Sequence, residues 1–274
     1  MNKFSSSVKN GFFLYFLIVL SSNLFYFSTR NIGLSRLIRV LIIQYFFYLL
    51  IPITCLMLNK KIIKKDLRLN KINWKQFRLI FLISILAVPI STYLNNVVLV
   101  VLSLFGDYTR IQRLITDVTS FYTLIASIFI FVITPAICEE TMFRGFLMNE
   151  FKSIGVRKSI ILTAVLFSIF HLDIEFLLGA TFIGIIFGYL VHITNSLYAG
   201  IIAHGIFNLT GSLLKFLLLN GSSDIAGDIV IWKEIIPVIL LGIMPSCVFV
   251  ALSWLLIKKL IETVNNTPQN FEVE

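Results

Sequence analysis

Charge is scarce in this chain. Asp, Glu, Lys and Arg make up 14% of its 274 residues, against 58% hydrophobic residues, and the mean hydropathy is +0.93. A composition so apolar excludes an ordinary soluble domain of this length. Cysteine is nearly absent as well. Cys55, Cys138 and Cys247 show no C-x-x-C spacing, which excludes a thiolate zinc site and a disulfide framework, and they read as small apolar packing residues. After Lys3, Lys9 and the first apolar stretch there is no A-x-A-type cleavage site before Arg30, so that stretch is expected to remain as a helix rather than act as a removable leader. Internal repeats and low-complexity linkers are missing too, which counts against a transporter built from paired halves with broken helices.

What the chain does have is long hydrophobic runs. Crossing about 30 Å of hydrocarbon takes roughly 20 apolar residues as helix, and the runs that qualify are 11–28, 40–58, 79–104, 120–138, 159–172, 176–193, 196–219 and 235–257. The expected fold is all-α, a polytopic membrane protein of about eight transmembrane helices. The fifth run is short, and the break after His171 reads as a tight external turn or a re-entrant bend. With both termini cytoplasmic, sixteen of the 23 basic residues fall inside, eight of them between Lys60 and Arg78, which favours an N-in, C-in arrangement in the cell membrane. The 60–78 run reads first as a positive-inside loop, with anionic headgroups as a secondary contact and no nucleic-acid role. Lys, Asn and Ile usage suggests an AT-rich bacterial source. The organisation expected is a single membrane domain: N-terminal helices with the basic loop over 1–119, a catalytic core over 120–215, and a last helix with a polar, disordered tail over 216–274.

The first three runs contain no acid and no histidine; the ionisable groups at membrane depth are concentrated between Glu139 and Asn208. An intramembrane ionisable residue is a functional candidate by default. In "AICEETMFRG" (136–145), Glu140 and Arg144 stand four apart, about 40° around the helix axis, within reach of an ion pair. Glu139 is rotated about 100° from Glu140, so one acid can be held by arginine while the other faces a cavity as a general base. An ordinary charged helix end is the plain alternative. In "FSIFH" (167–171) a histidine closes an apolar helix, with Phe167 one turn before it on the same face. In "HGIFN" (204–208) His204 and Asn208 share a face at membrane depth; a neutral helix-to-helix hydrogen bond is the alternative. His192 reads as interfacial. Gly184 and Gly188 form a G-x-x-x-G pair suited to close helix packing, and Asn95 and Asn96 suit interhelical hydrogen bonding. Together, a carboxylate and an imidazole that can activate water, and a histidine and an amide that can donate to an oxyanion, are the parts of an acyl-transfer hydrolase. No G-x-S-x-G supplies a serine nucleophile, and Cys138 would point to a different face from Glu139.

These three motifs resemble the EExxxR, FxxxH and HxxxN/D motifs of the CPBP intramembrane proteases, the group that includes CAAX prenyl endopeptidases and bacteriocin-immunity (Abi) proteins. The resemblance covers about residues 120–215, with the motifs in the family's order. It implies a CAAX-protease-like helical bundle with a cavity open toward membrane and cytoplasm. It further implies that Glu139 acts as general base with His171, that His204 and Asn208 hold the oxyanion, and that Arg144 pairs with Glu140. No metal cofactor is expected, because H-E-x-x-H is absent and Asn208 is a better oxyanion donor than zinc ligand; the alternative is a zinc site of Glu139, His171 and His204. The expected activity is hydrolysis of a peptide bond in a membrane-associated peptide or protein, with a peptide pheromone, a bacteriocin or a lipoprotein favoured over a farnesylated CAAX tail. The competing reading is a non-proteolytic scaffold or immunity protein that binds another membrane protein.

Overall fold

The computed structural model describes residues 3–103, 105, 121–219 and 232–267, and among them every regular element is helical. The helices are α1 (Lys3–Ser28), α2 (Arg36–Leu58), the single-turn α3 (Ile63–Asp66), α4 (Trp74–Ser103), α5 (from Phe121 through Ile154), α6 (Val156–Phe170), α7 (Leu177–Thr194), α8 (Leu197–Leu219) and α9 (Trp232–Asn265). Seven of these are long and apolar enough to cross a membrane. The expected fifth span is the exception. It forms as α6, with 15 residues, short of the roughly 20 that a full crossing needs.

Two boundaries differ from those read in the apolar runs. The fourth run does not end at residue 138: α5 continues to Ile154, so Glu139, Glu140 and Arg144 lie within the helix, each of them buried. Their partners are protein groups, and a charge satisfied inside the bundle need not mark where a span leaves the membrane. The last helix runs to Asn265 and takes in part of the expected tail, of which 268–274 lie outside the described residues, as does Ser120 at the start of the fourth run. Cys247 is exposed rather than packed, and all three cysteines are free.

Two devices bring the helices close. Asn95 on α4 accepts a hydrogen bond from the Gly179 amide at 3.0 Å, and any Cβ on Gly179 would collide with that side chain. On the other side of α7, the G-x-x-x-G pair lies against α6: a Cβ on Gly184 would sit 2.9 Å from Ala164 Cα, and one on Gly188 would sit 3.1 Å from Ile160 Cγ2. Since backbone cannot yield cheaply, Gly184→Ala is expected to lower the unfolding temperature of the detergent-purified protein, at a cost of about 1–3 kcal/mol. Among the described residues nothing lies within 4 Å of the would-be Cβ of Gly211 on α8, so Gly211→Ala is the matched control and should be neutral or slightly stabilising. Equal unfolding temperatures for the two variants would refute the close-packing account.

The turn between α6 and α7 is tight. His171 caps α6, Leu172 takes φ +49°, and Asp173 accepts from the Glu175 amide at 3.1 Å. Ser168 donates to the Leu177 carbonyl at 2.7 Å, closing the turn from inside. The basic loop between α2 and α4 is likewise tied down: the Leu197 amide donates to the Arg68 carbonyl at 2.9 Å, Asn70 donates to the Asn195 carbonyl at 2.6 Å, and Leu67 is buried beside Gly145.

Candidate active site

Helix α5 carries both acids, and its geometry around them is uncommon. π-helical turns at Phe129–Ile133 and Thr141–Leu147 flank the segment Thr134–Glu140. Such widened turns recur at functional sites because they re-aim side chains within a continuous helix. The two glutamates point to different partners, as their 100° offset requires.

Glu140 is entirely buried. Its Oε1 accepts from Arg144 Nη1 at 2.6 Å, so the ion pair expected from the i, i+4 spacing forms. The same oxygen accepts from His204 Nδ1 at 3.0 Å, a contact across 64 positions that the spacing did not suggest. Gly200 lets α8 approach this carboxylate: a Cβ there would lie 2.7 Å from Glu140 Oε2. Arg144, also without exposure, donates through Nη2 to the Gly184 carbonyl at 3.1 Å. Its guanidinium carbon lies 4.6 Å from the Phe167 ring centroid and 5.6 Å from that of Phe187, a desolvated cation over aromatic faces. Phe167, in the second motif, thus meets more than its neighbour His171 (ring centroids 4.9 Å apart); it also touches His204 at 5.8 Å.

Glu139 faces α2 instead. Its Oε1 accepts from Gln44 Nε2 at 2.8 Å, and Gln44 is buried within the π-helical segment Ile43–Leu50. Reading the sequence for charge missed Gln44. The available signal was one amide within the apolar run "VLIIQYFFYLL". Among the described residues the second oxygen of Glu139 has no protein partner.

His171 Nδ1 lies 2.8 Å from the Phe167 carbonyl. A carbonyl only accepts, so Nδ1 carries the hydrogen and the Nε2 lone pair of the neutral ring is left free. The same logic applies to His204, whose Nδ1 faces a carboxylate. Asn208 Nδ2 donates to the Phe131 carbonyl at 3.2 Å. Thus Glu140, Arg144 and His204 are joined in one polar cluster, while Glu139, His171 and Asn208 are each hydrogen-bonded to a different neighbour: Gln44, the Phe167 carbonyl and the Phe131 carbonyl. Among the described residues no three His, Cys, Asp or Glu side chains are disposed to hold one ion.

Fold and site together define a multi-pass helical membrane protein with a buried, ion-paired Glu/Arg/His cluster. Residues 121–210, about a third of the chain, match the family model described as Type II CAAX prenyl endopeptidase Rce1-like, a protease family within the CPBP group that the three motifs resemble. No curated protein matches the chain.

Proposed function

We propose that this chain is an intramembrane endopeptidase that hydrolyses a peptide bond in a membrane-associated peptide or protein with an apolar segment, without a metal. The observation that carries the proposal is the unequal use of the two adjacent acids. Glu140 is consumed by Arg144 and His204, whereas Glu139 is steadied through one oxygen by the neutral Gln44 amide and keeps the other oxygen for a proton.

In this mechanism Glu139 takes a proton from water while the Nε2 lone pair of His171 accepts the water's second hydrogen, and the oxygen adds to the scissile carbonyl. The oxyanion formed is stabilised by His204 and Asn208. With its Nδ1 hydrogen on Glu140, His204 donates from Nε2 only as the doubly protonated ring, so the Glu140 carboxylate is the counter-ion that this role requires. Asn208 has a second amide hydrogen besides the one given to Phe131. Collapse of the intermediate breaks the C–N bond, and the proton held by Glu139 passes to the leaving amine. The active-site cluster is closed around by Phe167 and Phe187, which keep it dry and strengthen each charge interaction.

The decisive experiment compares membrane peptides from cells expressing the wild type with those from cells expressing Glu139→Gln. Accumulation of an uncut precursor in the variant names the substrate and establishes the activity; identical peptide profiles would reject the proposal. Two further results are expected. Peptidase activity of the purified protein should survive prolonged strong chelation, and loss restored by zinc would turn Glu139, His171 and His204 into ligands. Cysteine-accessibility labelling should place the 60–78 loop and both termini in the cytoplasm of a bacterial cell, as the basic asymmetry implies, an arrangement that requires α6 to cross as a short eighth span beside the seven longer ones.

A further inference from the structure

A concave site lies away from Glu139 and Glu140, at the end of the bundle that carries the basic loop. Its lining includes Arg68 from the loop, Lys152 and Met148 from the end of α5, Val156 and Ile160 from the start of α6, and His192 from the end of α7. Two permanent cations and a histidine therefore face one hollow, and among the described residues no acid lines it. Among the described residues the side chains of Arg68, Lys152 and His192 have neither an ion pair nor a hydrogen bond.

Arg68 is the least ordinary of the three. It is half-buried, and burial pushes its guanidinium below the usual arginine range, the mark of a cation that has lost water and gained no counter-ion. Its backbone also sits in the left-handed region, at φ +54°, a conformation that costs a non-glycine residue free energy unless its surroundings impose it. The surroundings do impose it: the Arg68 amide donates to the Lys65 carbonyl, and the Arg68 carbonyl accepts from Leu197 at the start of α8. The guanidinium is thus held at the hollow by a braced turn. Beside it α6 begins at Gly155 with no side-chain cap, which adds the positive end of a helix dipole to the same wall.

We infer that this hollow is a binding site for a phosphate group, recognised by Arg68 and Lys152 with His192 at the rim. A planar guanidinium with a nearby ammonium is the donor set suited to phosphate oxygens. The ligand chemistry is shared by an anionic phospholipid headgroup and free phosphate. Met148, Val156 and Ile160 on the wall suit the glycerol and acyl portion that only the lipid has. The site is separate from the proposed peptidase chemistry and does not depend on it.

The test uses the full-length protein in an uncharged detergent at low ionic strength, titrated separately with phosphatidylglycerol, phosphatidylcholine and inorganic phosphate. Unfolding temperature and bound adducts in native mass spectrometry are the two readouts. Phosphatidylglycerol should raise the unfolding temperature saturably, with one adduct retained, and phosphatidylcholine should not. Lys152→Gln should weaken the apparent Kd about fivefold and Arg68→Gln at least as much, while Lys64→Gln, an exposed lysine in the same loop outside the hollow, should leave it unchanged. A saturable rise with inorganic phosphate as well would assign the site to the phosphate group alone; a rise with the lipid only would assign it to the headgroup. The inference fails if neither phosphatidylglycerol nor inorganic phosphate produces a saturable shift, if the zwitterionic phosphatidylcholine shifts the protein as strongly as phosphatidylglycerol, or if Lys64→Gln weakens binding as much as Lys152→Gln. Should Arg68→Gln not fold, Lys152→Gln decides.

Discussion

Glu139→Gln is expected to lower turnover of the processed peptide by about 10²- to 10⁴-fold, the range lost when a positioned general base is removed. The protein itself should hold. Glutamine keeps the carbonyl oxygen that accepts from Gln44, so the contact between α5 and α2 survives and the unfolding temperature should stay near that of the wild type. Activity and stability are therefore expected to separate at this position. Comparison of turnover with thermal unfolding of the same purified sample checks it. Full peptidase activity in Glu139→Gln would remove this residue as the base, and the roles assigned to the adjacent acids would have to be exchanged or abandoned.

Arg144→Ala is expected to do the reverse and act first on the fold. The substitution leaves the Glu140 carboxylate buried with only His204 beside it, and empties the space between the Phe167 and Phe187 rings. Breaking a buried ion pair by removing one partner costs about 3–5 kcal/mol, a large share of the 5–15 kcal/mol or so that holds a typical domain together. Expression, monodispersity and unfolding temperature should all fall. Glu140→Gln should fall in the same class, since it strands a guanidinium in the core. The double variant Glu140→Gln/Arg144→Met should recover part of the loss, because it removes both charges and keeps apolar volume. If Arg144→Ala kept wild-type stability and lost only activity, Arg144 would be acting on the reaction and not as a structural counter-ion.

The difference between these two predictions starts in local geometry that can be read along the chain. Consecutive helical residues diverge by about 100° and residues four apart nearly coincide, so "EETMFR" already implies one acid paired with the arginine and one acid free of it. The same reasoning applies to the glycine pair Gly184 and Gly188, read as close packing and found against Ala164 and Ile160 of α6. Boundary placement was less legible. A run that meets two glutamates looks as if it ends, yet α5 continues because Gln44, His204 and Arg144 satisfy those acids from inside the protein. At the far side of the site, helical spacing pairs His204 only with Asn208, whereas in the fold its Nδ1 meets the Glu140 carboxylate on another helix.

By itself, then, the amino-acid sequence determined that the chain is an apolar helical bundle, that its ionisable groups cluster between Glu139 and Asn208, and which acid meets Arg144. Each follows from composition or from helical spacing, which act within one segment. Only the tertiary structure decided that Gln44 steadies Glu139 across 95 positions, that His204 shares Glu140 with Arg144, and that Arg68, Lys152 and His192 surround one hollow. Those pairings join separate helices, and their register is set by packing, through contacts such as Gly200 against Glu140 and Gly184 against Ala164, where the absence of a side chain fixes how closely two backbones approach.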